Sequence, residues 1–208
     1  MGSTFKYGDV EITFLKHAGF KIKGSKTIYI DPYDLPDVEL EKADLVLITH
    51  EHFDHRDMDS LKKIRKDETI VVLPTGCMAE GYRTCELNLG AKEEVHGVII
   101  ETVPAYNVDK AFHKKGDGVG YIVTIDGVRI YHAGDTDFIP EMKDIDVDIA
   151  LLPVGGTYTM DVEDAKKAME VIKAKYFIPM HYGALPETKA DLSKLRSENV
   201  VILEPLFK

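Results

Sequence analysis

Glutamine is absent from this chain of 208 residues, asparagine occurs three times, and 26 lysines and arginines face 36 aspartates and glutamates. Proteins from hot environments avoid thermolabile amides and favour charge networks, so the bias predicts a heat-stable protein. The net charge of −10 argues against a broad surface for nucleic acid or an anionic membrane, because phosphate contacts need clustered Lys and Arg. The basic spot "HKKG", from His113 to Gly116, reads as a solvated loop. Cysteine is scarce as well. Cys77 and Cys85, in "GCMAEGYRTCEL", match no zinc-ribbon or C-x-x-C pattern, so they read as ordinary thiols, with a regulatory disulfide the lesser alternative. No apolar run approaches the roughly 18 residues that span a bilayer, and no basic segment leads into an apolar one at the N-terminus. Neither a membrane span nor a signal peptide is expected, and the expected location is cytoplasmic.

With 44% hydrophobic residues the chain can bury a substantial core, and no repeat, low-complexity tract or linker divides it. One domain over 1–208 is expected. Apolar runs at Val10 to Leu15, Gly19 to Ile22 and Thr27 to Ile30 predict strands, with turn chemistry at Gly24-Ser25. Leu45 to Thr49 has the continuous apolar character of a strand buried on both faces. Helical spacing follows from Asp57 to Lys66, with Asp57 or Asp59 as N-cap. Ile70 to Leu73, Gly97 to Val103 and Asp148 to Pro153 predict further strands, and "GYIVTIDGVRIYHAGD" a hairpin turning at Asp126-Gly127. "DVEDAKKAMEVIKAK" predicts an amphipathic helix with acids in its first turn and lysines in its last. "YFIPMHYG" then predicts strand, "ETKADLSKLRS" helix and "VVILEPL" a final strand. Strands lead the first half and strand–helix–strand units the second, which places sheet layers inside and helices outside.

The chemistry concentrates where the strand at Leu45 ends. His50, His52, Asp54 and His55 form H-x-H-x-D-H, and imidazole nitrogens and carboxylate oxygens are ordinary ligands for zinc and other first-row metals. Residues two apart on an extended chain face the same way, so His50 and His52 can grip one ion. As the chain turns toward a helix, Asp54 and His55 project elsewhere and can hold a second. Two later strands also deliver a metal-capable side chain, "VRIYHAGDTDF" at Asp135 and "YFIPMHYG" at His181. Alone, either would read as a turn or packing residue; together with the first motif they make a set.

The segments "HEHFDH" (50–55), "HAGDTD" (132–137) and "PMHYG" (179–183), with "KHAGF" and "IDP" around His17 and Asp31, resemble the metallo-β-lactamase superfamily. The branch is that of small metal-dependent hydrolases similar to ascorbate-phosphate lactonases, and the resemblance runs over nearly the whole chain. It implies an α/β fold, the four-layer αββα sandwich, with a dinuclear metal centre at the sheet edges. Carried over position by position, it puts His50 and His52 on a first ion and Asp54, His55 and His181 on a second, with Asp135 bridging. Asp54 and His181 are taken as catalytic as well as ligating. A shared carboxylate and shared hydroxide would let the cations sit about 3.5–4 Å apart. Zinc is the first choice of divalent ion, with manganese, iron or nickel as alternatives. One position departs from the family pattern. Asn107 stands where a third histidine of the first site is usual, and His113 comes six residues later. Either His113 loops back, the favoured reading, or the first site is incomplete.

Other residues carry two readings each. Asp31 could orient a ligand histidine or simply form the turn before Pro32. His17 and His132 could face the same cleft or pack as ordinary strand histidines, and His96 reads as a turn residue. In "GGTYTM", glycines permit close approach, and Thr157, Tyr158 and Thr159 could meet substrate or merely connect elements.

The expected reaction is hydrolysis of a small molecule. Metal coordination lowers the pKa of water from about 15.7 toward roughly 7, so a bridging hydroxide could attack an ester-like carbonyl or phosphorus, with no G-x-S-x-G nucleophile in sight. A lactone or other carboxylic ester is preferred and a phosphodiester is the runner-up. The acidic chain and the lack of an RNA-gripping insertion weigh against tRNA processing, and the lack of an export signal against β-lactams. Of other classes, a di-iron redox protein would carry Glu at His52 and a flavin domain, and a non-catalytic metal-binding regulator would need intact ligands without turnover. Oligomeric state is left open.

Overall fold

The computed structural model describes residues 2–207. Two sheets form, and each keeps the order of the chain. The first holds β1 (Thr4–Tyr7), β2 (Val10–Lys16), β3 (Gly19–Lys23), β4 (Thr27–Ile30), β5 (Leu45–Leu47), β6 (Ile70–Pro74) and β7 (Arg83–Leu87), side by side in sequence. Its first four strands pair antiparallel and β4 to β7 pair parallel. The second holds β8 (Lys92–Val95), β9 (Val98–Ala105), β10 (Gly118–Ile125), β11 (Val128–His132), β12 (Asp146–Pro153) and β13 (Lys173–Met180). It repeats the arrangement, antiparallel through β11 and parallel from β11 to β13.

The inner faces meet over one apolar layer, in which Ile12, Phe14, Ile22 and Leu47 belong to the same buried cluster as Tyr121, Val123, Ile130 and Ile149. Burying each such side chain contributes about 1.5–3 kcal/mol. Tyr121 also donates its hydroxyl to the Ile48 carbonyl across the layer at 2.8 Å, which ties β10 to the chain just before the histidine motif. Outside the first sheet, Leu61 and Ile64 of α1 (Met58–Ile64) pack with Val46, Ile48, Val71 and Leu73. Outside the second, Val162 and Ala165 of α2 (Val162–Val171) pack with Val154 and Leu195. The result is the expected αββα sandwich. No described helix is long and apolar enough to cross a membrane.

Local chemistry explains where the elements begin and turn. Asp57 caps α1 by accepting from the backbone N–H groups of Asp59 and Ser60. Asp126 and Gly127 both have positive φ, 49° and 77°, as a two-residue hairpin turn of matching twist requires. Three expectations fail near the C-terminus. The segment 187–197 is no α-helix but a single 3-10 turn, Leu192–Leu195. Residues 200–206 form no strand; Val200 bridges once to Phe177, and Leu206 and Phe207 donate instead to the Phe14 and Leu15 carbonyls. The lysines expected to end α2 lie beyond it, because the helix stops at Val171 and Lys173 and Lys175 belong to β13.

Candidate metal centre

Every element that carries chemistry opens at the same edge of the sandwich. His50 follows β5, Asp31 follows β4, Asn107 follows β9, Asp135 follows β11 and His181 follows β13, while His17 sits in the turn from β2 to β3. The carboxyl ends of parallel strands form a crevice of this kind because the chain leaves the sheet there. Three of these residues, His17, Asp31 and His181, are held in the left-handed region with φ of 57°, 44° and 57°. Side chains other than glycine resist that conformation, at a cost of order 1 kcal/mol or more each. Among the described residues, three of the six non-glycine positions with positive φ thus lie at the cluster.

The donors fall into two groups. His50 Nε2 and His113 Nε2 lie 3.1 and 3.2 Å from His52 Nδ1. The opposite nitrogens of two of these rings are already committed. His113 Nδ1 donates to Asn107 Oδ1 at 3.0 Å. His50 Nδ1 faces Thr49 Oγ1 at 3.0 Å, and that hydroxyl donates to Asp31 at 2.6 Å, so it accepts from His50. Both rings therefore turn Nε2 lone pairs toward His52 Nδ1, which could donate to only one of them, so a cation among the three rings fits the arrangement. Where the chain departs from the family pattern, His113 and not Asn107 joins His50 and His52, and Asn107 holds it by accepting from both its backbone N–H (2.9 Å) and its ring. The Asn107 amide in turn donates to the Tyr158 carbonyl at 2.9 Å.

The second group joins Asp54, His55 and His181 with His17, all buried and with one potential ligand atom apiece within 4.8 Å of the others. Asp31 fixes His55 by accepting from its Nδ1 at 2.7 Å, which leaves Nε2 facing inward. His17 Nε2 bonds Asp54 Oδ2 at 2.9 Å, and its ring lies on that of His181 with centroids 3.9 Å apart. Asp135 stands between the groups: Oδ1 is 3.3 Å from His55 Nε2, and Oδ2 is 3.2 Å from His113 Nε2 and 3.0 Å from His181 Nε2. His55 Nε2, Asp135 Oδ1 and both ring nitrogens of His181 are buried without a hydrogen-bond partner. Orphaned buried donors and acceptors are costly and rare, and a cation beside Asp135 could satisfy His55 Nε2, Asp135 Oδ1 and His181 Nε2 together. The residues fit a metal.

Electrostatics agree. Burial holds His50 and His113 below the ordinary imidazole range and brings His17 down to about 4 despite its bond to Asp54, so these rings are neutral as ligands must be. Burial opposes ionisation of Asp135 and Asp54, yet both carboxyls are held below the usual range. His181 and His55 lower Asp135, and the His17 bond and the His55 charge lower Asp54. Burial also disfavours charge on His55, but Asp135 and Asp31 push its pKa well above the usual value. The pocket favours positive charge at its centre.

Three expected residues lie elsewhere. Thr157 is exposed and spends its hydroxyl on the Glu187 carbonyl, and Thr159 turns its own to the Met160 carbonyl, so neither faces the cleft. His132 is fully buried outside the cluster. It contacts the Ala18 carbonyl at 2.8 Å and accepts from the Gly134 amide at 3.2 Å, bracing the turns beside His17 and Asp135. His96 is exposed in a turn, as expected. Sequence reasoning missed Thr49, the hydroxyl shared by Asp31 and His50, although it directly precedes the motif. It also missed Phe53, Phe112 and Leu185, which line the cleft and carry no motif signal.

Residues 11–181 match the model of the Beta-lactamase superfamily domain. A metal-dependent hydrolase of Pyrococcus furiosus is 39% identical over 220 residues, covering 94% of this chain and 97% of that protein. One of Pelotomaculum thermopropionicum is 36% identical over 208 residues, 90% of this chain and 91% of that protein. Among solved structures, one from Parabacteroides distasonis superposes with a TM-score of 0.83 at 35% identity and covers 99% of both chains. A metallo hydrolase from the hyperthermophilic archaeon Ignicoccus hospitalis gives 0.78 at 30%, over 94% of this chain and 95% of the other.

Proposed function

We propose, from the premise that the chain belongs to the metallo-β-lactamase superfamily as one of its metal-dependent hydrolases, that it cleaves a lactone or other carboxylic ester of a small cytoplasmic molecule at a dinuclear centre. His50, His52 and His113 would hold the first ion and Asp54, His55 and His181 the second, with Asp135, which stands between the two groups, within reach of both. Divalent cations, zinc foremost, supply Lewis acidity and lower the pKa of water when bound. The protein's own residues do the rest. Asn107, Thr49 and Asp31 hold His113, His50 and His55 so that each presents Nε2. His17 pins Asp54 Oδ2, so the carboxylate enters the reaction ionised and fixed in place. His17 and His181, both buried with ring centroids 3.9 Å apart, close the inner wall against bulk water.

The observation that carries this reading is the set of lone pairs and orphaned atoms converging on Asp135. Metal analysis of purified protein should find two divalent ions per chain, and a panel of lactones, aryl esters and phosphodiesters should show turnover on the carboxylic esters. His50→Ala serves as control: turnover that survives it would not come from this centre, and preference for phosphodiesters would replace the ester reading.

A further inference from the structure

The cleft above the cluster has two lobes, of about 350 and 340 Å³, which share His52, Phe112, His113 and Asp135 as a common ridge. Among the described residues, no lysine or arginine lines either lobe. Three cations near the cleft are held by protein groups. Lys110 binds Asp137 and the Thr159 carbonyl, Lys115 binds Glu141 and covers the Tyr106 ring, and Arg56 reaches Glu51 at 3.6 Å and the Met78 carbonyl. Recognition of a distal phosphate or carboxylate needs Arg, Lys or a cradle of backbone N–H groups. The first lobe presents acids instead, Asp117 and Glu51, the latter 3.6 Å from Arg56. The second is walled by Phe53, Phe112, Tyr158 and Leu185, and its charged side chains, Asp54, Asp135 and Glu187, are all acids. Phe53 is 68% exposed and Phe112 50% exposed, and Phe112 meets Tyr158 edge-on at 4.8 Å. Large aromatics held open at the mouth of a polar site mark an apolar contact surface.

We infer, resting on the ester-hydrolysis reading, that the substrate is a non-phosphorylated carboxylic ester whose aryl or alkyl portion lies against Phe53, Phe112, Tyr158 and Leu185. The lobe beside Glu51 and Asp117 takes a neutral or cationic portion and rejects an anionic one. The reaction is a balanced hydrolysis. The oxygen of one water bonds to the acyl carbon, the acyl–oxygen bond breaks with its electron pair going to the alcohol oxygen, that oxygen takes one of the water's protons, and the other proton is released as the carboxylic acid ionises.

The test compares zinc-loaded protein on 4-nitrophenyl butyrate, its near-isosteric anion mono-4-nitrophenyl succinate, and the cation 4-nitrophenyl 4-(trimethylammonio)butyrate. The butyrate and the cation should exceed the succinate at least ~10-fold in kcat/KM, within the range that single pocket contacts give. Phe112→Ala, a change at an exposed position, should lower kcat/KM for the butyrate by ~10-fold and for 4-nitrophenyl acetate by less than ~3-fold. Separately, calorimetric binding of 4-phenyl-1-butanol should weaken at least ~5-fold in Phe112→Ala, independent of any turnover. If the succinate matches or beats the butyrate while all are cleaved, this inference falls and ester hydrolysis stands. If no ester is cleaved but phenylbutanol still depends on Phe112, the apolar lobe stands and the ester reading falls. Phenylbutanol binding unaltered by Phe112→Ala overturns the apolar lobe.

Discussion

Replacing Asn107 by alanine should loosen the first ion while leaving the sandwich folded. The asparagine makes three hydrogen bonds: its Oδ1 accepts from the His113 backbone (2.9 Å) and ring (3.0 Å), and its amide donates to the Tyr158 carbonyl (2.9 Å). At about 1 kcal/mol net for each bond, the loss is about 3 kcal/mol. For a chain of this size each kcal/mol moves Tm by ~2–4 °C, so the melting point should fall by ~6–12 °C. The effect on the metal is separate. Without Oδ1 the His113 ring can rotate and its proton can move to Nε2, and removal of such an orienting partner costs ~10–100-fold in affinity, or about 1.4–2.8 kcal/mol. Competition against a chromogenic chelator should resolve two zinc affinities and show only the weaker-held first-site ion shifting. Asn107→Asp keeps the acceptor but sets a carboxylate against the Tyr158 carbonyl. It should therefore lose stability like the alanine variant while its zinc affinity moves less than ~3-fold. An alanine variant that binds both ions as tightly as the parent would refute the assignment of Asn107 as the group that fixes His113.

Asp31→Asn should weaken the second ion by ~10–100-fold in the same titration, because His55 Nδ1 loses its charged acceptor. Gly155→Ala should release the second ion and lower Tm, since a Cβ there would collide with the His181 carbonyl and meet Thr188 Cβ at 3.0 Å; metal analysis of the variant checks it. Burial pushes the Cys77 thiol up to about 11, so the thiol stays protonated at pH 8. Alkylation by iodoacetamide should be slow there and accelerate as pH rises toward 11, and intact mass should show no bond to Cys85. The scarcity of amides and the abundance of charged residues predict a Tm above the roughly 45–65 °C of mesophile domains, measurable by calorimetry.

What the sequence made legible follows from local rules. H-x-H-x-D-H announces itself because polar donors crowd against a buried strand, and the Asp126-Gly127 hairpin and the Asp57 cap each rest on a backbone rule confined to a few residues. The partnership of His113 with Asn107 was harder to see, because it depends on a loop of six residues folding back on itself. His17 was ambiguous for another reason: nothing local reveals that its backbone adopts φ 57° and lays the ring on His181. The edge strands β7 and β8 lack an alternating apolar pattern, since most of their side chains face solvent. The opposite error occurred at 200–206, an apolar run whose residues settle against β2 through Leu206 and Phe207 without joining a ladder. Apolar character alone tells of burial and not of pairing.

The serial layout of the sheets divides the donors between two continuous lengths of chain. His17, His50, His52, Asp54 and His55 precede the exposed Leu89 and the turn glycine Gly90, whereas His113, Asp135 and His181 follow them. Each ion would therefore act as a clasp across the seam, closing only when both lengths are present. Cut at Leu89–Gly90, the two fragments should recombine far more readily with zinc than with a chelator, so that the cofactor doubles as the latch of assembly.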